Sequence, residues 1–172
     1  YPISGQNLLE GVREGKKTVV AFNADSPAST LIADLLAAEL LRVTPNSVHL
    51  LPSAPDLTQP KPTRNPADKP DASCLLSRHD LRASAAAKVG QLETGREVLI
   101  NEAFAKTDIR CVVTNVAVNA FWGYSGSPSL VIPGLASENT VKACLAPALR
   151  SARQPGVLTG NLMHEALLRA SQ

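Results

Sequence analysis

The side chains able to do chemistry fall in a few short stretches. One is "GYSGSPSLVIPG", Gly123 to Gly134, in which Ser125, Ser127 and Ser129 sit in a glycine-bearing loop that runs into an apolar segment stopped by Pro133-Gly134. A phosphate cradle of the G-x-x-x-x-G-K-[ST] kind needs glycines for backbone approach and a lysine for charge, and this loop has no lysine. A dinucleotide fingerprint needs G-x-G-x-x-G between a strand and a helix, a spacing that "GYSGSPS" lacks. A nucleophile elbow sets a serine between glycines as G-x-S-x-G, and "GYSGS" is one residue short of it. Read from its residues alone, the loop is a tight turn.

The histidines and cysteines are equally dispersed. His49, His79 and His164 lie far apart, as do Cys74, Cys111 and Cys144. The odd cysteine count and the absence of a C-x-x-C pair argue against a disulfide scaffold or a zinc knuckle. His164-Glu165 begins like the H-E-x-x-H zinc helix, but Leu168 stands where the second histidine is needed, so His164 reads as a structural histidine near a helix start. His79-Asp80 is compatible with an imidazole oriented by its neighbour's carboxylate, and reads more simply as a solvated loop pair. No catalytic or metal-binding constellation emerges.

These groups need a scaffold. A chain of 172 residues, 44% hydrophobic, is long enough for one domain with a substantial core. Aromatics make up only 3%, so Leu, Val, Ile and Ala must build that core. Seventeen basic residues against 15 acidic ones, without a basic stripe, give no nucleic-acid footprint and no case for a membrane surface. No apolar run is long enough to span a bilayer, and no basic segment followed by an apolar one marks a leader, so a cytoplasmic location is expected.

"KTVVAF", Lys17 to Phe22, is a continuous apolar strand of the kind buried on both faces of a parallel sheet. Ser26 and Pro27 open a helix over "ASTLIADLLAAELLRV", with Leu31, Ile32, Leu35 and Leu36 forming its apolar face. "SVHLL", Ser47 to Leu51, completes a β-α-β unit. A short helix is expected over "NLLEGVREG" and a proline-rich loop over about 52–72. Beyond it, "CLLSRHD" can return a short strand, "LRASAAAKV" is ambiguous, and "LETGREVLIN" is a turn into a strand. "NEAFAKTD" is a helical turn, "IRCVVTNV" a buried strand, and two helices follow, with caps at Ser137 and near Asn161. The alternation predicts an α/β layered domain with a mainly parallel, Rossmann-like sheet flanked by helices.

The blocks "KVGQLETGREVLIN", "AKTDIRCVVTNVAVNAFWGYSGSPSLVIPGLASENTV" and "LTGNLMHEAL", in this order and preceded by "LLEGVREGKKTVVAFNADSPAS" and "SRHD", resemble the N-terminal domain of the nickel-dependent lactate racemases and related 2-hydroxyacid racemases. The resemblance covers most of the chain and is weakest over 52–72. It implies a domain that closes with a second α/β domain over a nickel pincer nucleotide. In such proteins the cofactor is joined through a thioamide to a lysine in a G-F-S-G-G-R-K loop. Histidines ligate the nickel and move the substrate's hydroxyl proton while a hydride passes to the cofactor and back.

At the positions carrying that chemistry this sequence differs. Ser129 stands for the tether lysine and Pro128 for the arginine before it; Asn119 stands for the histidine upstream of the loop. Asn23 and Ser26 replace the carboxylate and arginine of the turn after the first strand. Ser53 or Ala54 takes the histidine's place after the second strand, and about Leu145 that of the later catalytic histidine. The expectation is therefore a single domain over 1–172, without the family's C-terminal domain, with no catalytic residue, no metal ligand and no cofactor of its own. Its degenerate cleft would be lined by Asn23, Asp25, Ser26, Asn119, Tyr124, Ser125, Gly126, Ser127 and Ser129. The expected partners are a racemase-family or C-terminal-domain chain and a small hydroxyacid or nucleotide. The competing expectation is a divergent enzyme using the same cleft without a covalent cofactor.

Overall fold

The computed structural model describes residues 12, 16–53, 73–92, 94–148 and 155–171. The helix expected over "NLLEGVREG" lies outside them, except for Val12, as does most of the proline-rich segment. Pro52 is a correction: it is the last residue of a buried strand, paired with Phe22, rather than the start of the loop.

Four parallel strands form the central sheet, in the order β3-β2-β1-β6: β1 (Thr18–Phe22), β2 (Val48–Pro52), β3 (Leu75–Leu76) and β6 (Ile109–Val113). Every residue of β1 is buried, as its unbroken apolar run requires of a central parallel strand. The two-residue period of the strand sends Val19 and Ala21 into one core and Val20 and Phe22 into the other.

Helix α1 (Pro27–Val43) covers the Val20–Phe22 face. Ser26 caps it, its hydroxyl accepting from Ser29 N at 3.2 Å. Its packing face matches the expected one only at Leu36, which packs partly buried against this core. Ala33, Ala37, Leu40 and Leu41 meet the sheet, while Leu31, Ile32 and Leu35 are more than half exposed. Both stripes have helical spacing. The alanine stripe packs because small side chains let the helix axis approach the sheet, and because Ser29, on the same side, reaches Asn115 through its hydroxyl at 3.2 Å.

The remaining elements cover the other face. β4 (Ala86–Gln91) resolves the ambiguous alanine-rich stretch: it pairs antiparallel with β5 (Glu97–Asn101) through a turn at Gly95. Asn101 caps the single-turn helix α2 (Glu102–Ala105). A small hairpin, β7 (Val118–Asn119) with β8 (Gly123–Tyr124), leads into the short helix α3 (Ser127–Val131). Helices α4 (Glu138–Ala148) and α5 (Leu162–Ser171) follow, and their caps are as expected: Ser137 Oγ accepts from Thr140 N, and Asn161 Oδ1 from Met163 N and His164 N. Trp122, Leu130, Ile132, Leu135, Val141 and Met163 close the second core against Val19, Ala21 and Leu51. The result is an α/β domain with a mainly parallel sheet, as the alternation predicted. Cys111 is a buried core residue whose thiol pKa burial raises.

Candidate functional site

At the C-terminal ends of the parallel strands the chain must turn back, and its first polar residues after each strand converge. Asn23 follows β1, Ser53 follows β2 and Thr114 follows β6; all three line a cavity of about 240 Å³. The hairpin and α3 supply the opposite wall through Asn119, Trp122, Ser125 and Ser129, and Pro133 and Gly134 close it. Crevices at this end of open α/β sheets are where ligands bind. Of the nine residues expected here, Asn23, Asn119, Ser125 and Ser129 line the cavity. Asp25, Ser26, Tyr124, Gly126 and Ser127 do not. Asp25 and Ser127 are exposed, and Ser26 is engaged as the α1 cap. Thr114 and Trp122 were missed. The signal for Thr114 was its position directly after a parallel strand.

Most polar side chains in this wall already hold the backbone. Asn23 Oδ1 accepts from Asp25 N at 3.1 Å. Asn119 Oδ1 accepts from Phe121 N at 2.9 Å and Trp122 N at 3.2 Å, which fixes the β7–β8 turn. Ser125 Oγ accepts from Ala117 N at 3.0 Å across the hairpin. Ser129 Oγ accepts from Gly126 N at 3.0 Å and donates to Gly126 O at 2.9 Å, closing the loop upon itself. The carboxamide NH₂ groups of Asn23 and Asn119 are then the neutral donors that the wall can turn toward a ligand.

The chemistry of this lining is limited. None of its side chains titrates near neutral pH, and general acid–base catalysis needs a titrating group within hydrogen-bond reach of the substrate. Its volume falls below the roughly 300–1,000 Å³ of ordinary ligand pockets, which suits a small hydroxyacid better than a nucleotide-sized group. Among the described residues no cluster of three or more His, Cys, Asp or Glu is placed to hold a metal ion. The thioamide-tethered nickel pincer that the resemblance implies does not fit this donor set, because Ser129, aligned with the tether lysine, offers only a hydroxyl that already clamps its own loop.

That clamp is testable. Ser129→Ala removes both bonds to Gly126 and leaves its part-buried N–H unsatisfied, while Gly126 O still accepts from Leu130 N at 3.0 Å, so unfolding free energy should fall by about 1–2 kcal/mol in urea denaturation. An unchanged midpoint would show that Ser129 does not hold the loop.

The histidines lie elsewhere. His79 is not a solvated loop residue: it is 2% exposed. Its Nε2 bonds Ala136 O at 3.0 Å and its Nδ1 meets Asn101 Nδ2 at 3.2 Å. A carbonyl on one side and an amide donor on the other assign a neutral ring protonated on Nε2. Burial lowers its pKa, opposed by the Ala136 bond and the Asp80 charge. Asp80 itself caps a turn, accepting from Arg82 N at 2.8 Å and Ala83 N at 2.9 Å, rather than bonding the ring. His164 sits in the first turn of α5, with Nδ1 buried and without a partner among the described residues. Leu145, at the place of the later histidine, packs partly buried against the second core.

Residues 72–153 match the family described as the lactate racemase N-terminal domain. The chain is 27% identical over 174 residues to a lactate racemase of Lactiplantibacillus plantarum, covering 95% of this chain and 40% of that protein. Its fold is similar to that of the lactate racemase apoprotein from Thermoanaerobacterium thermosaccharolyticum (TM-score 0.78, 23% identity, 98% of this chain and 43% of that one). A crystal structure of a Thermotoga maritima protein also matches, with a TM-score of 0.71 at 20% identity over 95% of this chain and 44% of that one. The chain thus spans about two fifths of the length of the proteins it resembles. Together these similarities support an N-terminal lactate racemase domain in this chain.

Proposed function

We propose that this domain is a catalytically degenerate member of its kind, acting as a binding or structural subunit paired with a racemase-family or C-terminal-domain chain. One observation carries the reading. The cavity at the strand ends has no titrating side chain, and Ser129, where the resemblance puts the tether lysine, is clamped to Gly126. Exposed apolar residues at the rim support a partner: Val116 is 73% and Val118 65% exposed, beside the half-exposed Tyr124 with which Val118 pairs. The domain over 1–172 would supply one wall of a cleft and the partner the other. A cytoplasmic setting belongs to the same proposal; no helix among the described residues is long and apolar enough to cross a membrane.

The test is optical. Purified chain mixed with one enantiomer of lactate, with and without added nickel pincer nucleotide, should leave the enantiomeric excess unchanged. Loss of optical purity above the blank would overturn the reading.

A second reading, a divergent 2-hydroxyacid enzyme or untethered hydroxyacid- or nucleotide-binding protein, draws on the free carboxamide donors of Asn23 and Asn119. A ligand bound by the native state alone, at one hundred times its dissociation constant, adds about 2.7 kcal/mol to stability. A thermal-shift series with lactate, nucleotides and Ni²⁺ should therefore show a rise only if this reading holds.

A further inference from the structure

A second cavity opens at the opposite end of the same sheet. It holds about 580 Å³, more than twice the volume of the one at the strand C-termini. Val48 and Leu50 of β2 enter the core beneath α1, so the alternation of the strand turns His49 to the other face, into the lining of this cavity. Ser77 lies one residue beyond β3, where its N–H donates to Leu50 O at 3.2 Å, and it lines the same cavity. The two side chains meet there: His49 Nε2 and Ser77 Oγ are 2.6 Å apart. Both residues are half-buried, so the pair is sheltered from bulk water yet open to the cavity. A further hydroxyl of the lining, Ser84 Oγ, accepts from Asp80 N at 2.8 Å, which leaves its own proton to donate.

We propose that Ser77 and His49 act as nucleophile and general base on small carboxylic esters admitted to this cavity. Activation of a serine needs a base within about 2.6–3.2 Å of its hydroxyl, and the pair stands at that distance. The Ser77 hydroxyl donates to Nε2 when the ring carries its proton on Nδ1. Burial lowers the His49 pKa, so the ring is neutral near pH 7 and Nε2 keeps the lone pair that accepts a proton. Ser77 Oγ attacks the ester carbonyl carbon while its proton passes to Nε2. The C–O bond to the alcohol breaks as that proton is delivered to the leaving oxygen. Water then attacks the acyl-serine by the same route, releasing the carboxylic acid and restoring the hydroxyl. The volume lies within the ordinary ligand range of about 300–1,000 Å³, and Leu75, Ala85 and Ala103 give an acyl chain apolar contact. This inference does not rest on the reading of the other cavity, and the activity is separate from racemisation.

The experiment treats the chain with an alkyl fluorophosphonate, whose fluoride Ser77 Oγ would displace, and with p-nitrophenyl acetate as the ester. Peptide mapping should place the phosphonyl group on Ser77 in preference to Ser125 and Ser129, and p-nitrophenolate release by the parent should exceed that by Ser77→Ala. His49→Gln should slow the labelling of Ser77 by about 100-fold. The mapping is read on the parent chain, so it stands whatever a substitution does to the fold. A bond that only ties β2 to the chain after β3 would leave the hydroxyl no more reactive than other serines. No label at Ser77, label spread equally over the serines, equal labelling rates in parent and His49→Gln, or equal release by parent and Ser77→Ala would each overturn the proposal.

Discussion

Gly123→Ala should lower the unfolding free energy by about 3 kcal/mol or more. Gly123 has φ of 76°, and a Cβ there would lie 2.0 Å from Val157 O and 2.7 Å from Val157 C, both backbone atoms. A left-handed conformation alone costs an L-residue about 1–2 kcal/mol. The clash must add to that, because the Gly156 N–H donates to Gly123 O at 2.9 Å and holds the two segments together. Gly95→Ala is the control. It has the same φ of 76° but nothing within 4 Å of the added carbon, so its loss should be that of the backbone alone, about 1–2 kcal/mol. Urea unfolding of both variants separates strain from contact. Equal losses would mean that the approach of residue 157 to the hairpin is not fixed, and that the wall of the cavity is softer than described.

His79→Ala should cost about 2–4 kcal/mol, because it opens a cavity and strands the Ala136 carbonyl and the Asn101 amide together. Ala136 also bridges to Ile100, so the ring ties the loop before β4 to β5 and to the segment entering α4. The same ring gives stability a pH dependence of definite sign. Its folded pKa is lowered below the usual value of about 6.5, so between those values the unfolded chain binds the extra proton. Its contribution is fully present above about pH 6.5 and is lost as pH falls toward the folded pKa. His79→Gln can keep one donor and one acceptor without titrating, so its stability should fall less steeply below pH 6.5 than that of the parent. His49, lowered by burial as well, supplies the slope that remains. Parallel pH profiles for parent and His79→Gln would contradict the assignment of a buried neutral ring.

The central sheet was legible because its signal is local. A fully buried parallel strand must be continuously apolar, as "TVVAF" nearly is, while "IRCVV", expected to be buried, is an edge strand in which only Cys111 is buried; Ser26-Pro27, Ser137 and Asn161 each place a cap where the structure has one. The face of α1 was not legible, because two stripes with the same period compete. The choice of Ala33 and Ala37 over Leu31 and Leu35 depends on how close the sheet lies. β4 was ambiguous for a related reason: "AAKVGQ" has mostly exposed side chains, and its strand state comes from pairing with β5.

The cavity at the strand ends was half legible. Asn23, Asn119 and Ser129 were named because the resemblance placed them at chemical positions, and Ser125 as a polar residue of the same loop; the structure brings the four together. Ser26 was named at the place of the family's arginine, and Asp25 and Ser127 as its polar counterparts nearby in the two loops, but a helix cap holds Ser26 and a helix start carries Ser127. His79 read as a loop histidine because its partners, Asn101 and Ala136, are 22 and 57 residues away. The His49–Ser77 pair, 28 residues apart, was hidden in the same way.

The proposed function rests on Ser129 standing, in the loop "GYSGSPSLVIPG", where the resemblance puts a tether lysine. The most direct measurement is the intact mass of the chain isolated from cells that make the nickel pincer nucleotide, followed by peptide mapping of residues 123–137. The account predicts the mass of the unmodified polypeptide. A mass increase equal to the cofactor, located on this loop, would contradict it.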